Sequence, residues 1–135
     1  MNNVLEAVIQ YLKRSGLSTT QIASKMHYGD GWTPMSPAFL VRMDGGDPNL
    51  YGVMQRARIE VRAFALDEVS CLGLMDEVEE AARAAERVQQ VVTGGKALIY
   101  WMNADSGRSV LYDEDEEMYF GLLFFEAAVS VEKIT

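Results

Sequence analysis

The segment QRARIEVRAFAL, residues 55–66, constrains the fold more than any other part of the chain. Ala57, Ile59, Val61, Ala63 and Ala65 alternate with Arg56, Arg58, Glu60 and Arg62. Successive side chains of an extended strand point to opposite faces, whereas a helix would scatter these apolar residues around its circumference. The spacing therefore predicts a strand with one packed face and one charged face, the latter in water or on a partner.

Directly after this strand the period changes. Asp67 stands at an N-cap position, and Cys71, Leu72, Met75, Val78, Ala82 and Ala85 form a stripe at helical spacing. Glu79, Glu80, Arg83, Glu86 and Arg87 lie mostly away from it. A long helix is expected from Asp67 to about Gln90, closed by TGG at 93–95. A second amphipathic helix is expected over 3–15. Val4, Leu5, Val8, Ile9 and Leu12 share its face, Asn2 or Asn3 caps it, Lys13 and Arg14 complement its dipole, and Gly16 stops it.

The remaining segments read as strands and turns. Residues 19–27 suggest a short strand with Ile22, Ser24 and Met26 on one face. GDGWTPMSP, 29–37, is a loop by composition. AFLVRM, 38–43, is a strand ending in the turn DGGDPN, 44–49. ALIYWM, 97–102, is a strand, NADSGRS, 103–109, a turn, and VLY, 110–112, part of a strand before the acidic run. Residues 118–134 form a long final strand that is apolar on both faces, hence central or covered by helices. The order α, β, β, β, α, β, β with short connections predicts an α+β fold. Its antiparallel sheet of about four to five strands carries two main helices on one face, in a single domain spanning 1–135.

Composition limits the function. With 135 residues and 49% apolar content, the chain can bury a core of its own. Its net charge of −8 opposes general nucleic-acid binding, which needs a positive footprint. The one cysteine, Cys71, cannot form an internal disulfide. MNNVLEAVIQYLKRSG places its positive charges after the apolar residues, against the signal-peptide order, and no run approaches the ~18 apolar residues of a membrane span. A cytoplasmic site of synthesis, with no membrane partner, is the expectation.

No constellation points to catalysis. His27 is the one histidine, Cys71 falls on the apolar helix stripe, and no G-x-S-x-G elbow, phosphate-binding loop or dinucleotide fingerprint is present. Asn103, Asp105 and Gly107 fail the offsets of a calcium loop. No enzyme, cofactor or metal site is expected. Two features exceed what a solitary domain needs. One is the arginine face of residues 55–66, with Arg56, Arg58 and Arg62. The other is the unbroken acidic run Asp113, Glu114, Asp115, Glu116 and Glu117. As a solvated hairpin tip the run would be ordinary; against the arginines of a second copy it would support head-to-tail contact, which closes into a ring when the rotation fits.

The order of segments resembles the tail terminator (tail completion) proteins of long-tailed bacteriophages and their related minor tail proteins. The resemblance covers almost the whole chain. It rests on the helix VLEAVIQYLKRS, the strand segment PAFLVRMDGGDPN, the strand RARIEVRAFAL running directly into the helix DEVSCLGLMDEVEEAAR, and a closing hairpin near the C-terminus. It implies a structural virion protein, assembled in the bacterial host cytoplasm at the head-proximal end of the tail. Its ring, usually a hexamer, caps the tail tube protein, ends tube polymerisation and offers a surface to the head completion or connector protein. DNA would pass through the lumen without specific binding. In that frame Asp113, Glu114, Asp115, Glu116 and Glu117 face the lumen or a partner ring, and Arg56, Arg58 and Arg62 are candidates for the subunit interface. A head-tail connector or neck protein, and a small acidic bacterial adaptor, are the alternative readings.

Overall fold

In the computed structural model, the described residues are 4–19, 21–25, 27, 31–33, 35–47, 54–87, 90–92, 97–104 and 109–131. The elements run α1 (Val4–Arg14), β1 (Ile22–Ala23), β2 (Ala38–Asp47), β3 (Met54–Ala65), α2 (Glu68–Arg87), β4 (Gln90–Val92), β5 (Ala97–Ala104), β6 (Ser109–Asp113) and β7 (Met118–Val131). The fold is α+β, as the sequence predicts.

β3 and β7 form the spine of the sheet, antiparallel from Met54↔Ser130 to Ala65↔Tyr119. The strand order is β1-β2-β3-β7-β5-β4, and β6 also pairs β7. β5 lies along Phe125–Val131 and β6 along Met118–Leu122, so the two follow one another down the same side of β7. The alternation of β3 sends Ala57, Ile59, Val61 and Ala63 to the helix side, where they are buried. Leu123, Phe125, Ala127 and Val129 of β7 join them there.

Both helices cover this side. α1 buries Val4, Ala7, Val8, Tyr11 and Leu12, and α2 buries Cys71, Leu74, Met75, Val78, Ala81, Ala82 and Ala85. Each large apolar side chain buried this way contributes about 1.5–3 kcal/mol. Gly16 takes φ +76 just past α1, the left-handed geometry that ends a helix without steric cost. Asp67 caps α2: its Oδ1 accepts from the Ser70 N–H at 2.8 Å and its Oδ2 from the Ser70 hydroxyl at 2.9 Å. The Tyr11 hydroxyl donates to the Ala81 carbonyl at 2.6 Å and locks the helices together. Gly121 of β7 lies beneath Met75; a Cβ there would stand 2.1 Å from its Sδ. That glycine lets α2 approach the sheet.

The structure corrects several expectations. The sheet has seven strands among the described residues and is mixed, because β1 pairs β2 in parallel. Of the described residues of 19–27, Ile22 and Ala23 join the sheet and Ser24 and Lys25 are exposed; Met26 lies outside the described residues. β2 runs on through Asp44–Asp47, where a turn is expected, with a register shift between Met43 and Gly46. Two adjacent glycines absorb such a bulge without ending the strand. α2 is described as far as Arg87, and Gln90, where the helix is expected to end, already belongs to β4. Leu72 is 40% exposed, and Leu74 takes its place in the stripe. The caps at Asn2 or Asn3, the TGG stop at 93–95 and residues 132–134 of the last strand lie outside the described residues. Among the described residues no helix is long and apolar enough to cross a membrane.

Candidate functional site

The sheet face opposite the helices carries the arginine group. The β3–β7 register sets Arg58 opposite Glu126, Glu60 opposite Phe124, Arg62 opposite Leu122 and Phe64 opposite Phe120. Long side chains reach the diagonal neighbour on the next strand. Arg58 accordingly lies over the Phe124 ring at 4.5 Å, and Arg62 over the Phe120 ring at 5.2 Å. Both arginines thus lie over aromatic rings, an arrangement worth about 0.5–1 kcal/mol at exposed sites.

Each of the three arginines also has an acid in its own chain. Arg56 pairs with Glu126, Arg62 with Glu60, and Arg58 with Asp44 at 3.6 Å. Their side chains keep 54% (Arg56), 42% (Arg58) and 30% (Arg62) exposure. The face is therefore a mixture of rings, guanidinium groups and carboxylates, already internally neutralised. Toward its end it closes into a second, smaller core of Ala38, Leu40, Phe64, Met118 and Phe120, packed by Trp32.

The acidic run forms the tip of the β6–β7 hairpin. Asp113 ends β6, residues 114–117 turn, and Met118 opens β7. Asp113 Oδ1 accepts the N–H groups of Asp115 at 2.9 Å and Glu116 at 3.1 Å, a local turn in which a carboxylate replaces a backbone acceptor. Glu117 takes φ +55 to complete the reversal. Glu116 is held from outside the hairpin: His27 Nε2 lies 2.9 Å from its Oε2 and 3.2 Å from its Oε1, the geometry of an imidazole N–H donating to a carboxylate. The His27 ring stands 6.4 Å from Trp32, so His27 and Trp32 link the tip to the smaller core.

This link does not bring the acids to the arginines of the same chain in any ion pair among the described residues; the arginines use Asp44, Glu60 and Glu126. Sequence reading identified both charged groups but missed the His27–Glu116 contact, which joins residues 89 positions apart. It also missed the rings beneath the arginines. The apolar residues on both faces of the final strand were the available signal, but they reveal no register.

Elsewhere, burial pushes the Cys71 thiol up from its ordinary value, which disfavours the reactive thiolate. No cluster of three or more His, Cys, Asp or Glu among the described residues could hold a metal ion. A cleft of about 630 Å³ opens between α2 and the segments on either side of β1. Its polar groups serve one another: Glu77 accepts from the Ser18 N–H at 2.8 Å and hydroxyl at 2.7 Å, and the Gln21 amide donates to the Thr33 carbonyl at 3.3 Å. The Ser18–Glu77 bonds tie the α1–β1 connection to α2. No family model matches this chain, and no curated protein matches its sequence.

Proposed function

We propose that the chain is a structural virion protein of the tail-terminator kind. It forms a ring on the last ring of the tail tube, ends tube polymerisation and presents a surface for head–tail joining. The observation that carries this reading is the braced acidic hairpin. Five consecutive acids occupy the hairpin tip, which Asp113 braces through the N–H groups of Asp115 and Glu116 and His27 braces through the Glu116 carboxylate. A flexible acidic tail would serve for solubility alone, whereas a fixed tip repeated around a ring makes a continuous negative rim. Such a rim repels phosphate and lets DNA pass without binding, and the −8 charge of each copy reinforces it.

The sheet face with Arg58 and Arg62 on Phe124 and Phe120 supports assembly in a second way. Aromatic residues and arginine are enriched at the centres of protein interfaces. Its internal ion pairs disfavour a subunit contact built on these arginines meeting the acidic run of a neighbour. The acidic run is better placed toward a lumen or a partner ring.

The experiment is assembly of purified protein, followed by light scattering and negative stain over a range of concentrations, with and without magnesium. A closed ring with a central hole is expected. Glu116→Arg and Arg58→Glu, singly and together, then test the contact. Assembly lost in each single variant and restored in the double would overturn the lumen or partner-ring placement. A monomeric protein that binds one cellular partner would instead favour the acidic adaptor.

A further inference from the structure

Among the described residues the unpaired edges of the sheet are β1, β2 beyond Leu40, β4, β5 beyond Ile99, and β6; β2 and β5 each carry a register shift there, and β6 pairs without one. β1 has two residues and β4 three, whereas β6 has five, Ser109–Asp113. One side of β6 is paired to β7 from Ser109↔Leu122 to Asp113↔Met118, and no described residue forms a ladder with its other side. Proteins usually blunt such an edge with a lysine, a proline or a bulge. SVLYD carries none of these. Its central apolar side chains stand in the open instead, Leu111 at 48% and Tyr112 at 51% exposure. Tyr112 meets the half-buried Tyr119 edge-on at 5.0 Å, and Tyr119 in turn lies opposite Ala65, which is fully buried at the end of β3. Beyond it, exposed Leu66 and Val69 lead into α2.

An open strand edge presents alternating N–H and C=O groups, so the occupant that fits it is another strand. We infer that β6 pairs with β6 of a second copy, antiparallel, about a two-fold axis at Leu111. The strand is self-complementary in this register. Leu111 meets Leu111 of the second copy, Val110 meets Tyr112, and Ser109 meets Asp113. The first two pairings are apolar, and the third gives the carboxylate a hydroxyl donor. No like charges stand opposite one another.

Charge selects the direction. Parallel pairing would set the two acidic turns, 114–117, about 5 Å apart on neighbouring strands. Antiparallel pairing sends them to opposite ends of the joint ladder and removes that repulsion. The pairing is isologous, whereas a ring closes through heterologous contacts, so it stands independently of the terminator reading.

The test is cysteine cross-linking of the full chain under mild oxidation. The native Cys71 is fully buried and stays out of the reaction. Leu111→Cys is expected to give a two-copy disulfide species, because residues directly opposite across an antiparallel pair are within disulfide reach. Ser109→Cys and Asp113→Cys are expected to remain uncross-linked alone and to cross-link when mixed. Without oxidant, the wild-type protein is expected at about 30.2 kDa, twice 15.1 kDa, or at a multiple of it, and Leu111→Lys at half the wild-type mass. Failure of both the Leu111→Cys product and the mixed Ser109→Cys/Asp113→Cys product overturns the inference. So does a Ser109→Cys chain that cross-links with itself as readily as Leu111→Cys. The mixed pair keeps the test valid if the Leu111 variant folds poorly. A ring without these cross-links removes the β6 pairing and leaves the terminator reading; cross-links without a ring do the reverse.

Discussion

The two faces of the sheet use the same strands for different ends. On the helix side, Ile59, Val61, Leu123 and Phe125 are sealed beneath α1 and α2. On the other side, one residue along, Arg58, Arg62, Phe120 and Phe124 make a surface in which charge lies on aromatic rings. The first face determines whether the chain folds. The second carries partly exposed, ion-paired arginines and is rich in the residue types from which interfaces are made. A strand's period of two allows this division without any change in backbone.

The difference between the faces predicts a hierarchy of mutational effects. The largest is at Gly121, where α2 comes closest to the sheet. Gly121→Ala is expected to lose about 1–3 kcal/mol by overpacking against Met75. In a double-mutant cycle by chemical denaturation, Gly121→Ala with Met75→Ala should lose less than the sum of the two single changes, because the new methyl occupies part of the vacated space. Strict additivity would show that the contact is not shared.

Next comes the bond between the helices. Tyr11→Phe removes a hydroxyl whose short bond to the Ala81 carbonyl is buried. It should cost about 0.5–1.5 kcal/mol in the same assay. Burial raises the Tyr11 pKa, so ultraviolet titration should show this phenol ionising above the exposed tyrosines.

The outer face should respond less. Arg58→Ala is expected to lose no more than about 1 kcal/mol, since ring and ion-pair contacts on an open face are partly screened. A much larger loss would mean that this face is structural rather than reserved for assembly.

The smallest effect is at the α2 cap. The N–H and hydroxyl of Ser70 hold the Asp67 carboxyl below its ordinary value. A depressed folded-state pKa stabilises above the unfolded value, and the contribution is lost as pH falls through the folded value. Asp67→Asn should therefore keep the neutral-pH Tm within a few degrees and flatten the acid limb of the Tm–pH curve.

The same contrast governs what was legible in the sequence. The alternation of 55–66 and the helical stripe after Asp67 report burial within one element, so β3, α2 and the α+β class could be read directly. The final strand, apolar on both faces, announced a position that is central or covered by helices, and β7 is paired on both sides. Elements whose existence depends on a distant partner could not be read. β1 is two residues held by the Phe39 N–H donating to the Gln21 carbonyl at 2.8 Å. β2 crosses a glycine pair because β3 lies alongside it. The site divided in the same way. Arg56, Arg58, Arg62 and the five acids were visible as residues. The rings beneath Arg58 and Arg62, the acids that pair with all three, and the clamp of His27 on Glu116 arise from register and long-range contact.

One measurement addresses the central claim, that this chain assembles into a ring. It is the mass of the purified protein by light scattering across a concentration series, with negative-stain imaging of the largest species. The account predicts a closed ring with a central hole. A monomer, or a species of two copies and no more, at every concentration and with magnesium present would contradict it.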